Sequence, residues 1–484
     1  MKHSYTVKEM READRAAIEG GTPSLELMER AGHALAEVVR AAMERLSVSD
    51  VLFVCGGGNN GGDGFVAARI LLERGLDAAV LCLAEKFSPD CAAEKARFQG
   101  EILGVIPRRR YALVVDCILG TGLTRAPEGV AKQLIEFCGN ASYVISADLP
   151  SGLSENGIAL APCVRADETV SMGLMKNCLL MADGPDVSGR VTVADIGIPP
   201  VSCGAELWED ADAAALFPKR RSNTHKGAFG RACLFAAEAQ YTGAVFLAAG
   251  ACLRSGAGYT ELIADEPLYS AAVGKLPACV LRRFEALDGD ILSSDCIALG
   301  MGAGVSERLY AQIAELMEAY TGTLVIDADG LNTLAKYGVE VLKEKTCRVI
   351  LTPHPKEFAR LSGKSVGEVL SSAAEASKAF AKEYGVVVVL KNNRTLITDG
   401  ERLAINRTGT PALAKGGSGD VLTGLLAGTC ARGIPPYEAA CAASYLFGRA
   451  GEIAAQQLGE YSVTAEDVIS CFGKAILSIS NKSI

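Results

Sequence analysis

Strand-like apolar runs alternate with helix-like amphipathic segments along most of this chain, and that alternation restricts it to an α/β fold. Repeated strand–helix–strand units predict a parallel sheet that is covered by helices on both faces. In such a sheet, a ligand lies beyond the carboxyl ends of the strands. In the first half of the chain the strand-like runs are 51–55, 77–84, 112–120 and 142–152.

The alternation breaks once, near residues 200–225, and then starts again with the strand-like run that begins at residue 231. The break contains paired prolines, a cluster of charges and the only tryptophan. A chain of 484 residues is also longer than one hydrophobic core usually organises. We therefore predict two α/β domains, residues 1–212 and residues 213–484.

Composition and charge exclude several classes of protein. Hydrophobic residues make up 49% of the chain and charged residues 22%, which is typical of a well-packed globular protein. The net charge is −9, and the basic triplets at 108–110 and 219–221 are short, so we expect no nucleic-acid partner. The sixteen cysteines form no CxxC pair, which indicates reduced thiols in a cytoplasmic protein. No apolar run reaches about 18 residues, so we expect a soluble protein without a membrane partner.

The stretch GGGNNGGDG, residues 56–64, follows a strand-like run and precedes a helix-like one. Free amides at such a helix start favour an anion such as a phosphate. The stretch is neither a Walker A loop nor a clean GxGxxG pattern, and a tight turn with glycine at positive φ is the alternative interpretation. Consecutive Asn59 and Asn60 with Asp63 favour a binding site, because their oxygens can hold a polar ligand or a hard cation.

Two further strand ends carry an aspartate that is followed by small residues. Asp116 precedes the segment GTG at 120–122, and Asp148 precedes the segment PSG at 150–152. Either carboxylate taken alone could simply cap its loop. Because three such ends of a parallel sheet can converge on one crevice, a joint site is the stronger interpretation.

The stretch KGGSGDVLTG, residues 415–424, is the strongest motif in the second half. Four glycines surround Ser418 and Asp420, and apolar residues follow at helical spacing, so the loop is expected at a helix N-terminus. Its amides can neutralise charge that develops on a transferring phosphoryl group. Asp420 is placed to take a proton from an attacking hydroxyl group. The alternative role for Asp420 is a favourable negative charge at the helix start.

In this order, GGGNNGGDG, VVDCILGTGLTR and SADLPSGLS resemble the N-terminal domain of bacterial bifunctional NAD(P)H-hydrate repair enzymes, over about residues 1–212. The resemblance implies a Rossmann-like epimerase domain that interconverts the R and S forms of the hydrated cofactor, NAD(P)HX. It implies Asp148 as the acid–base catalyst, and Asn60, Asp116 and Ser151 as ligands of a potassium ion. The substrate-binding residues that it implies are Asn59, Asn60, Gly61, Gly62, Asp63, Gly120, Thr121, Gly122, Leu123, Thr124, Arg125, Ala126 and Asp148.

The glycine–aspartate loop is similar to the GxGD pattern of ribokinase-like enzymes, and most of residues 213–484 resembles their NAD(P)H-hydrate dehydratase branch. The supporting segments are THKGAFG, ALGMGAG, VIDADGLNTL and LTPHPKEF. The resemblance implies a homo-oligomer in which Asp420 is the base. It implies dehydration of (S)-NAD(P)HX with ADP and Mg²⁺, or with ATP as in some members, giving AMP and phosphate from ADP. The implied substrate contacts are Ala244, Gly302, His354 and Asp420, and the implied nucleotide contacts are Lys391, Asn392, Asn393, Arg394, Thr395 and Gly419.

Three positions depart from the family pattern. The usual Gly-Gly-Ser after the first strand of the second domain is Ala236-Ala237-Glu238, the usual HPGE is HPKE with Lys356, and the usual Lys-Gly is Lys391-Asn392. The first departure puts a glutamate where a phosphate-binding loop is expected, and the third lies in the implied nucleotide segment. His354, which stands between two prolines, could also be a loop residue without a role.

Two alternatives stay open at this point. Ribokinase-like relatives use the same loop to phosphorylate hydroxyl groups of sugars and vitamin precursors, so the second half could be a small-molecule kinase. A domain similar to the first half serves as a scaffold in mRNA-decapping enhancer proteins, but Asp116 and Asp148 are intact here and no basic surface is evident. The fusion itself favours the repair enzyme, because an epimerase supplies its neighbour with the epimer that the neighbour uses.

Overall fold

The structure is a computed structural model, and residues 2–123, 125–236 and 241–480 are described. Strands and helices alternate through both halves of the chain. The predicted α/β class is therefore confirmed, with separate sheets for the N-terminal and C-terminal parts.

The chain divides into two compact units. The first is His3–Ala205, and the second begins at Glu206 and also takes in Lys2. The division expected from the sequence, after residue 212, falls inside the helix Asp210–Ala215 of the second unit.

The N-terminal unit contains a sheet in which every neighbouring pair of strands is parallel. Strands up to residue 194 are β1 Lys2–Ser4, β2 Asp50–Cys55, β3 Asp77–Leu81, β4 Ile102–Leu103, β5 Leu113–Cys117, β6 Tyr143–Ala147, β7 Glu168–Met172 and β8 Arg190–Ala194. The seven strands of the sheet have the order β4-β3-β2-β5-β6-β7-β8. The chain therefore proceeds outward from β2 in one direction and from β5 in the other. Such a switch point leaves a crevice at the carboxyl ends of β2 and β5.

Close helix packing in this unit depends on glycine. The helices are α1 Val7–Glu19, α2 Ser24–Leu46, α3 Asn59–Glu73, α4 Pro89–Arg97, α5 Gly129–Cys138 and α6 Gly184–Val187, with a 3₁₀ turn at Asn177–Leu179. Helix α3 packs on α2 and on β2. A Cβ atom at Gly32 of α2 would lie 2.3 Å from a methyl carbon of Val66 in α3, which is closer than such atoms can approach.

The C-terminal unit is built on a longer, mixed sheet. Its strands are β9 Ala205–Leu207, β10 Arg231–Ala236, β11 Tyr259–Ala264, β12 Val280–Arg283, β13 Cys296–Leu299, β14 Thr323–Ile326, β15 Arg348–Leu351, β16 Val387–Leu390, β17 Leu396–Thr398 and β18 Leu403–Ile405. They lie in the order β9-β18-β17-β16-β15-β14-β13-β10-β11-β12. The pairs from β12 to β16 are parallel, whereas β16, β17 and β18 pair antiparallel. The carboxyl ends of β13, β14, β15 and β16 thus meet at one edge.

Helix α16 starts at the glycine loop and packs tightly on α8. The longer helices of the unit are α7 Asp210–Ala215, α8 Thr242–Arg254, α9 Glu266–Ala272, α11 Glu307–Ala319, α12 Ala328–Tyr337, α13 Pro355–Ser362, α14 Val366–Ser371, α15 Ala373–Tyr384, α16 Ser418–Ala431, α17 Pro436–Leu458 and α18 Ala465–Ser480, and α10 is the single turn Gly289–Leu292. Short 3₁₀ turns occur at Lys226–Phe229, Glu340–Lys343 and Pro411–Leu413. A Cβ atom at Gly424 would lie 1.9 Å from the carbonyl oxygen of Ala248, so glycine permits this contact.

Two further observations bear on the sequence-based expectations. Among the helices of the described residues, none combines the length and the apolar character that a membrane span requires. All sixteen cysteines carry free thiols, and fourteen of them are buried.

Candidate active sites

A cavity of about 540 Å³ lies in the N-terminal unit at the carboxyl ends of β2, β5 and β6. Helix α1 forms part of its wall, a contribution that the sequence patterns did not indicate. The predicted convergence of three strand ends is therefore observed. The predicted substrate residues that line this cavity are Asn59, Asn60, Asp63, Gly120, Thr121 and Asp148.

Five of the six glycines of residues 56–64 are required by close packing rather than by turn geometry, and Gly58 is the exception, with open space where a Cβ atom would be. None of them has a positive φ, so the tight-turn alternative is wrong here. Helix α3 already begins at Asn59. A Cβ atom at Gly61 would lie 2.0 Å from the Gly56 carbonyl oxygen, and one at Gly64 would lie 2.7 Å from the Cys55 sulfur. Because these positions lack a Cβ atom, the first turn of α3 packs directly on the end of β2.

Asp116 is completely buried beneath the cavity and is held by its own chain. Its carboxylate accepts hydrogen bonds from the Ser151 amide at 2.8 Å, from the Ser151 hydroxyl at 2.6 Å and from the Ser146 hydroxyl at 2.9 Å. Burial raises the pKa of Asp116, and these hydrogen bonds oppose that rise. The carboxylate therefore ties the loops after β5 and β6 together.

The oxygen atoms around Leu119 suit a monovalent cation. Asn60 donates its amide hydrogen to the Leu119 carbonyl at 3.0 Å, and the Leu119 amide donates to the Ser151 hydroxyl at 2.9 Å. The side-chain oxygen of Asn60 is buried and has no hydrogen-bond partner among the described residues. A buried, unpaired amide oxygen is costly, and a bound cation would satisfy it. Of the predicted potassium ligands Asn60, Asp116 and Ser151, it is therefore Asn60 whose oxygen is free to meet such an ion, whereas the oxygens of the other two already have hydrogen-bond partners.

Asp148 directly follows β6 and has a left-handed backbone, with φ of 65°. Non-glycine residues rarely adopt this conformation, and it is enriched at functional sites. One carboxylate oxygen, Oδ1, lies 2.7 Å from the ammonium of Lys176 and accepts from the Met172 amide at 3.2 Å. The other, Oδ2, is directed toward Gly120, where a Cβ atom would lie 3.8 Å from it.

Two more carboxyl groups line the same cavity, Asp14 from α1 and Asp63 from α3. Burial and the negative charge of Asp148 raise the pKa of Asp14. Burial, with the charges of Asp148 and Asp14, raises the pKa of Asp63 well above its usual value. Several carboxyl groups in one crevice whose pKa values differ can supply both an acid and a base.

The remaining predicted substrate residues of the N-terminal unit lie outside the cavity lining. Gly61 and Gly62 are buried behind it, and Thr124 lies outside the described residues. Gly122 has a φ of 109°, and a Cβ atom there would lie 3.2 Å from the Arg11 guanidinium. The others are Leu123, Arg125 and Ala126, of which the last two are exposed.

In the C-terminal unit, the glycine loop is the start of α16, as the motif predicted. Gly417 caps the helix with a φ of 91°, and Ser418, Gly419 and Asp420 form its first turn. A Cβ atom at Gly419 would lie 3.3 Å from the Lys391 ammonium and 3.9 Å from a carboxylate oxygen of Asp327. The loop therefore packs on the side chains of Asp327, which directly follows β14, and Lys391, which directly follows β16.

Asp327 and Lys391 form the electrostatic centre of this site. The Lys391 ammonium donates to one carboxylate oxygen of Asp327 at 2.7 Å, and the Thr423 hydroxyl donates to the other at 2.7 Å. Burial alone would raise the pKa of Asp327, but Lys391 and the hydroxyl donors lower it. The next residue, Ala328, has a φ of 48°, so this strand end is strained like the one at Asp148.

The pKa values of Asp420 and Glu357 are both raised. Burial, reinforced by the negative charge of Asp327, raises the pKa of Asp420 to about 6, against the opposing effect of Lys391. Burial raises the pKa of Glu357 to about 7, also against the effect of Lys391. A carboxylate whose pKa lies near neutrality is suited to general base catalysis.

His354 has a structural role that its position between two prolines did not reveal. Its Nδ1 accepts hydrogen bonds from the amides of Lys356 at 3.1 Å and Glu357 at 3.2 Å, which caps α13. Burial, with the nearby charges of Lys391 and Arg360, lowers the pKa of His354. The imidazole is half-exposed, so it can also face a ligand.

The segment 391–395 forms the turn between β16 and β17. The Lys391 amide donates to the Pro353 carbonyl at 2.8 Å. The Asn392 side-chain oxygen accepts from the Asn393 amide at 2.9 Å, so this departure from the family pattern stabilises the turn. Arg394 donates to the Arg407 carbonyl, and the Thr395 carbonyl accepts from the Asn406 amide.

The other two departures fall partly within the described residues. Lys356 is exposed in the first turn of α13, and Ala236 ends the buried strand β10. Ala237 and Glu238 lie outside the described residues.

The predicted residues Ala244 and Gly302 lie near each other. Ala244 is in the first turn of α8. Gly302 has a φ of 65°, and its carbonyl accepts from the Tyr241 amide at 3.3 Å, just before α8 begins. Helix α8 also contacts the glycine loop, because a Cβ atom at Gly417 would lie 2.5 Å from Leu247.

Sequence patterns missed Asp14, Lys176 and Asp327. Asp327 could have been found, because it ends a strand-like run in the same way as Asp116 and Asp148. Lys176 had one weak signal, a single lysine among the apolar residues of GLMKNCLL. Asp14 had none, because α1 precedes all the motifs.

The chain carries one candidate site in each unit, a cavity lined by carboxyl groups in the first and a glycine loop beside a buried ion pair in the second, as expected of a bifunctional enzyme. Residues 24–178 match the family model described as YjeF-related protein N-terminus, and residues 232–473 match the one described as NAD(P)H-hydrate dehydratase. The bifunctional NAD(P)H-hydrate repair enzyme of Thermofilum pendens is 35% identical over 512 aligned positions, covering 98% of this chain and 96% of the relative. The Escherichia coli enzyme of that name is 30% identical, covering 94% and 90%.

A solved structure agrees with these relatives. The ADP/ATP-dependent NAD(P)H-hydrate dehydratase of Bacillus subtilis, co-crystallized with ATP and Mg²⁺, is 28% identical with a TM-score of 0.51. It covers 57% of this chain and the whole of that protein. The chain belongs to the family of bifunctional NAD(P)H-hydrate repair enzymes, and the resemblance inferred from the motifs is confirmed.

Proposed function

We propose that the N-terminal unit interconverts the epimers of hydrated NAD(P)H and that the C-terminal unit dehydrates the S epimer at the expense of ADP. The observation that carries this proposal is the first turn of α16, where Asp420 stands beside a glycine loop that rests on Lys391 and Asp327. Free amides at a helix start and a carboxylate with a raised pKa are the groups that phosphoryl transfer to a hydroxyl group requires.

In the C-terminal unit, the hydroxyl group of the hydrated ring attacks the terminal phosphorus of ADP. Asp420 takes the hydroxyl proton, the bond to AMP breaks, and the glycine-loop amides stabilise the charge on the transferring phosphoryl group. The carbon–oxygen bond then breaks, and phosphate leaves with its electron pair. The ring loses a proton from the adjacent carbon, which forms the double bond. Among the proposed nucleotide contacts, Gly419 directly precedes Asp420 and lies next to the Lys391 ammonium. Ala244, Gly302 and His354 are the proposed cofactor contacts.

In the N-terminal unit, Asp148 is the proposed acid–base group for the carbon that carries the hydroxyl group. The cavity at 540 Å³ is large enough for the hydrated ring and part of the dinucleotide. Asn59, Asp63 and Gly120 would contact the substrate.

Two ions belong to the proposal. Asn60, Asp116 and Ser151 would hold K⁺, which would supply a positive charge next to the substrate loops. Mg²⁺ would enter with the nucleotide, because phosphate oxygens and water provide most of its ligands. The cytoplasmic location and the homo-oligomer expected from the sequence are part of the same proposal.

The test of the proposed function uses purified full-length protein and a mixture of both epimers of NADHX. Recovery of NADH absorbance is followed with ADP and Mg²⁺, with ATP and Mg²⁺, and with no nucleotide. We expect complete recovery that depends on nucleotide. Recovery that stops with one epimer left would remove the epimerase role, and turnover of ATP with a hydroxylated vitamin precursor but not with NADHX would favour the kinase alternative.

The pH dependence of dehydration should follow Asp420. Because the base must be ionised and its pKa is raised to about 6, kcat/KM should fall as pH decreases through about 6 and be constant above it. The measurement is kcat/KM for (S)-NADHX with saturating ADP from about pH 5 to about pH 8.

Glu357 is the matched control for this profile, because burial raises its pKa to about 7. Glu357→Gln keeps an oxygen that can accept the His354 amide hydrogen bond of 2.8 Å. The acid limb near pH 6 should persist in this variant. Its disappearance would assign the limb to Glu357 and contradict the assignment to Asp420.

A further inference from the structure

Lys176 is a buried ammonium that no sequence motif assigned a role. It lies between β7 and the 3₁₀ turn Asn177–Leu179, and 1% of its side chain is exposed. Its three hydrogens face four acceptors, which are Asp148 Oδ1 at 2.7 Å, the Met172 carbonyl at 2.9 Å, the Ser171 hydroxyl at 3.1 Å and the Leu174 carbonyl at 3.4 Å. Its side chain also borders the cavity.

A buried lysine costs free energy, so its presence needs a reason. Removing an ammonium from water is expensive unless an anion and further hydrogen bonds replace the water. Asp148 is the anion that contacts Lys176, and three neutral acceptors fix the ammonium behind it. A neutral side chain could close the end of β7 at less cost, which points to a role for the charge.

The carboxylate of Asp148 is constrained from several directions. Its left-handed backbone is fixed by the hydrogen bond from its amide to the Val170 carbonyl at 2.8 Å. Lys176 and the Met172 amide occupy Oδ1, which leaves Oδ2 on the side of Gly120 and the cavity. A group with one oxygen fixed and the other directed at the ligand is arranged to exchange a proton there.

The charges around Asp148 come from four elements. The cationic residues lining the cavity are Arg11, which pairs with Glu155, and Lys176. Lys176 is therefore the cation that directly neutralises Asp148. The carboxyl groups that line the cavity are Asp14 of α1, Asp63 of α3, Asp90 of α4 and Asp148.

We propose that Lys176 is the positioning residue that holds Asp148 as the ionised general base, and that Asp63 is the proton donor of the same step. This inference rests on the proposed epimerase function of the N-terminal unit. Asp63 lines the same cavity as Asp148, and burial together with the charge of Asp148 raises the pKa of Asp63, so Asp63 is the carboxyl group suited to donate a proton there.

The step balances without a further reactant. Asp148 takes the proton from the hydroxyl group, a carbonyl forms, and the bond from that carbon to the ring nitrogen breaks. The electron pair goes to the nitrogen, which takes a proton from Asp63. Rotation about the adjacent carbon–carbon bond presents the other face of the carbonyl. On closure the nitrogen attacks the carbonyl carbon and returns its proton to Asp63, and the new alkoxide takes its proton back from Asp148, so both carboxyl groups regain their starting states.

The test is Lys176→Met in the full-length protein, with interconversion of the NADHX epimers followed chromatographically without nucleotide. We expect kcat to fall about 100-fold with little change in KM. Because the lost positive charge favours the protonated Asp148 carboxyl, the acid limb of the kcat profile should also move to higher pH. Lys132→Met, which removes an exposed lysine of α5, should change neither quantity.

A double variant separates positioning from folding. If Lys176 acts through Asp148, Lys176→Met should cause no further loss of kcat in the Asp148→Asn background. Lys176→Gln, which keeps a donor for the Met172 carbonyl, should show the same shifted limb even if Lys176→Met does not fold. Equal losses in both backgrounds, or an unshifted limb in Lys176→Gln, would overturn the inference. Absence of interconversion in the unaltered protein would instead refute the proposed epimerase.

Discussion

Replacing Asp420 with asparagine should lower kcat for ADP-dependent dehydration by about 10²–10⁴-fold, because a positioned general base contributes that much. The amide keeps the shape of the side chain at the start of α16 but cannot take the proton. KM for the hydrated cofactor should change little, since the loss concerns a group that acts in the transition state. AMP formation and NADH recovery, measured together, check this expectation.

Glu375→Gln is the matched control. Glu375 is likewise an acidic residue in the first turn of a helix, α15, but it is exposed. If Asp420 served only as a favourable charge at a helix start, both variants would lose a little stability and neither would lose activity. An Asp420→Asn protein with near-normal kcat would therefore restore the alternative that the motif left open. Epimer interconversion in the N-terminal unit should be unaffected by either variant.

The fold and much of each site could be predicted because they depend on local sequence. Alternating strand and helix patterns define the parallel sheets, and ligands of such sheets lie at the carboxyl ends of strands. Asp116 and Asp148 were found by that reasoning, and Asp420 was found from the glycine motif that precedes a helix-like run. Gly417 is similarly local, since its φ of 91° requires glycine.

What could not be predicted depends on contacts between distant segments. The glycines Gly61 and Gly64 are there because α3 touches the end of β2, whereas the sequence offered only a ligand-binding loop or a tight turn as reasons for them. Lys176 has a role only because β6 and β7 are neighbours, which brings it to Asp148. Asp14 enters the cavity from a helix that carries no motif at all.

The largest expected effect on stability concerns the buried pair of Asp327 and Lys391. Asp327→Asn leaves the Lys391 ammonium beneath the glycine loop without its anion, and breaking a buried pair from one side costs about 3 kcal/mol or more. The free energy of unfolding should therefore drop by that amount. Trp208, the only tryptophan, is buried in the core of the C-terminal unit, so its fluorescence reports denaturant unfolding of that unit.

Two further variants show whether the loss of stability arises from the unpaired charge of Lys391. The double variant Asp327→Asn/Lys391→Met removes both charges and should recover most of the stability, because a neutral pair of similar volume needs no compensation. It should stay inactive as a dehydratase, since the cation next to Gly419 is gone. Glu401→Gln breaks a lysine–carboxylate pair of 2.9 Å on the surface and should leave unfolding unchanged. If the double variant were as unstable as Asp327→Asn, the hydrogen bond from Thr423 rather than the charge of Lys391 would be what Asp327 contributes to the fold.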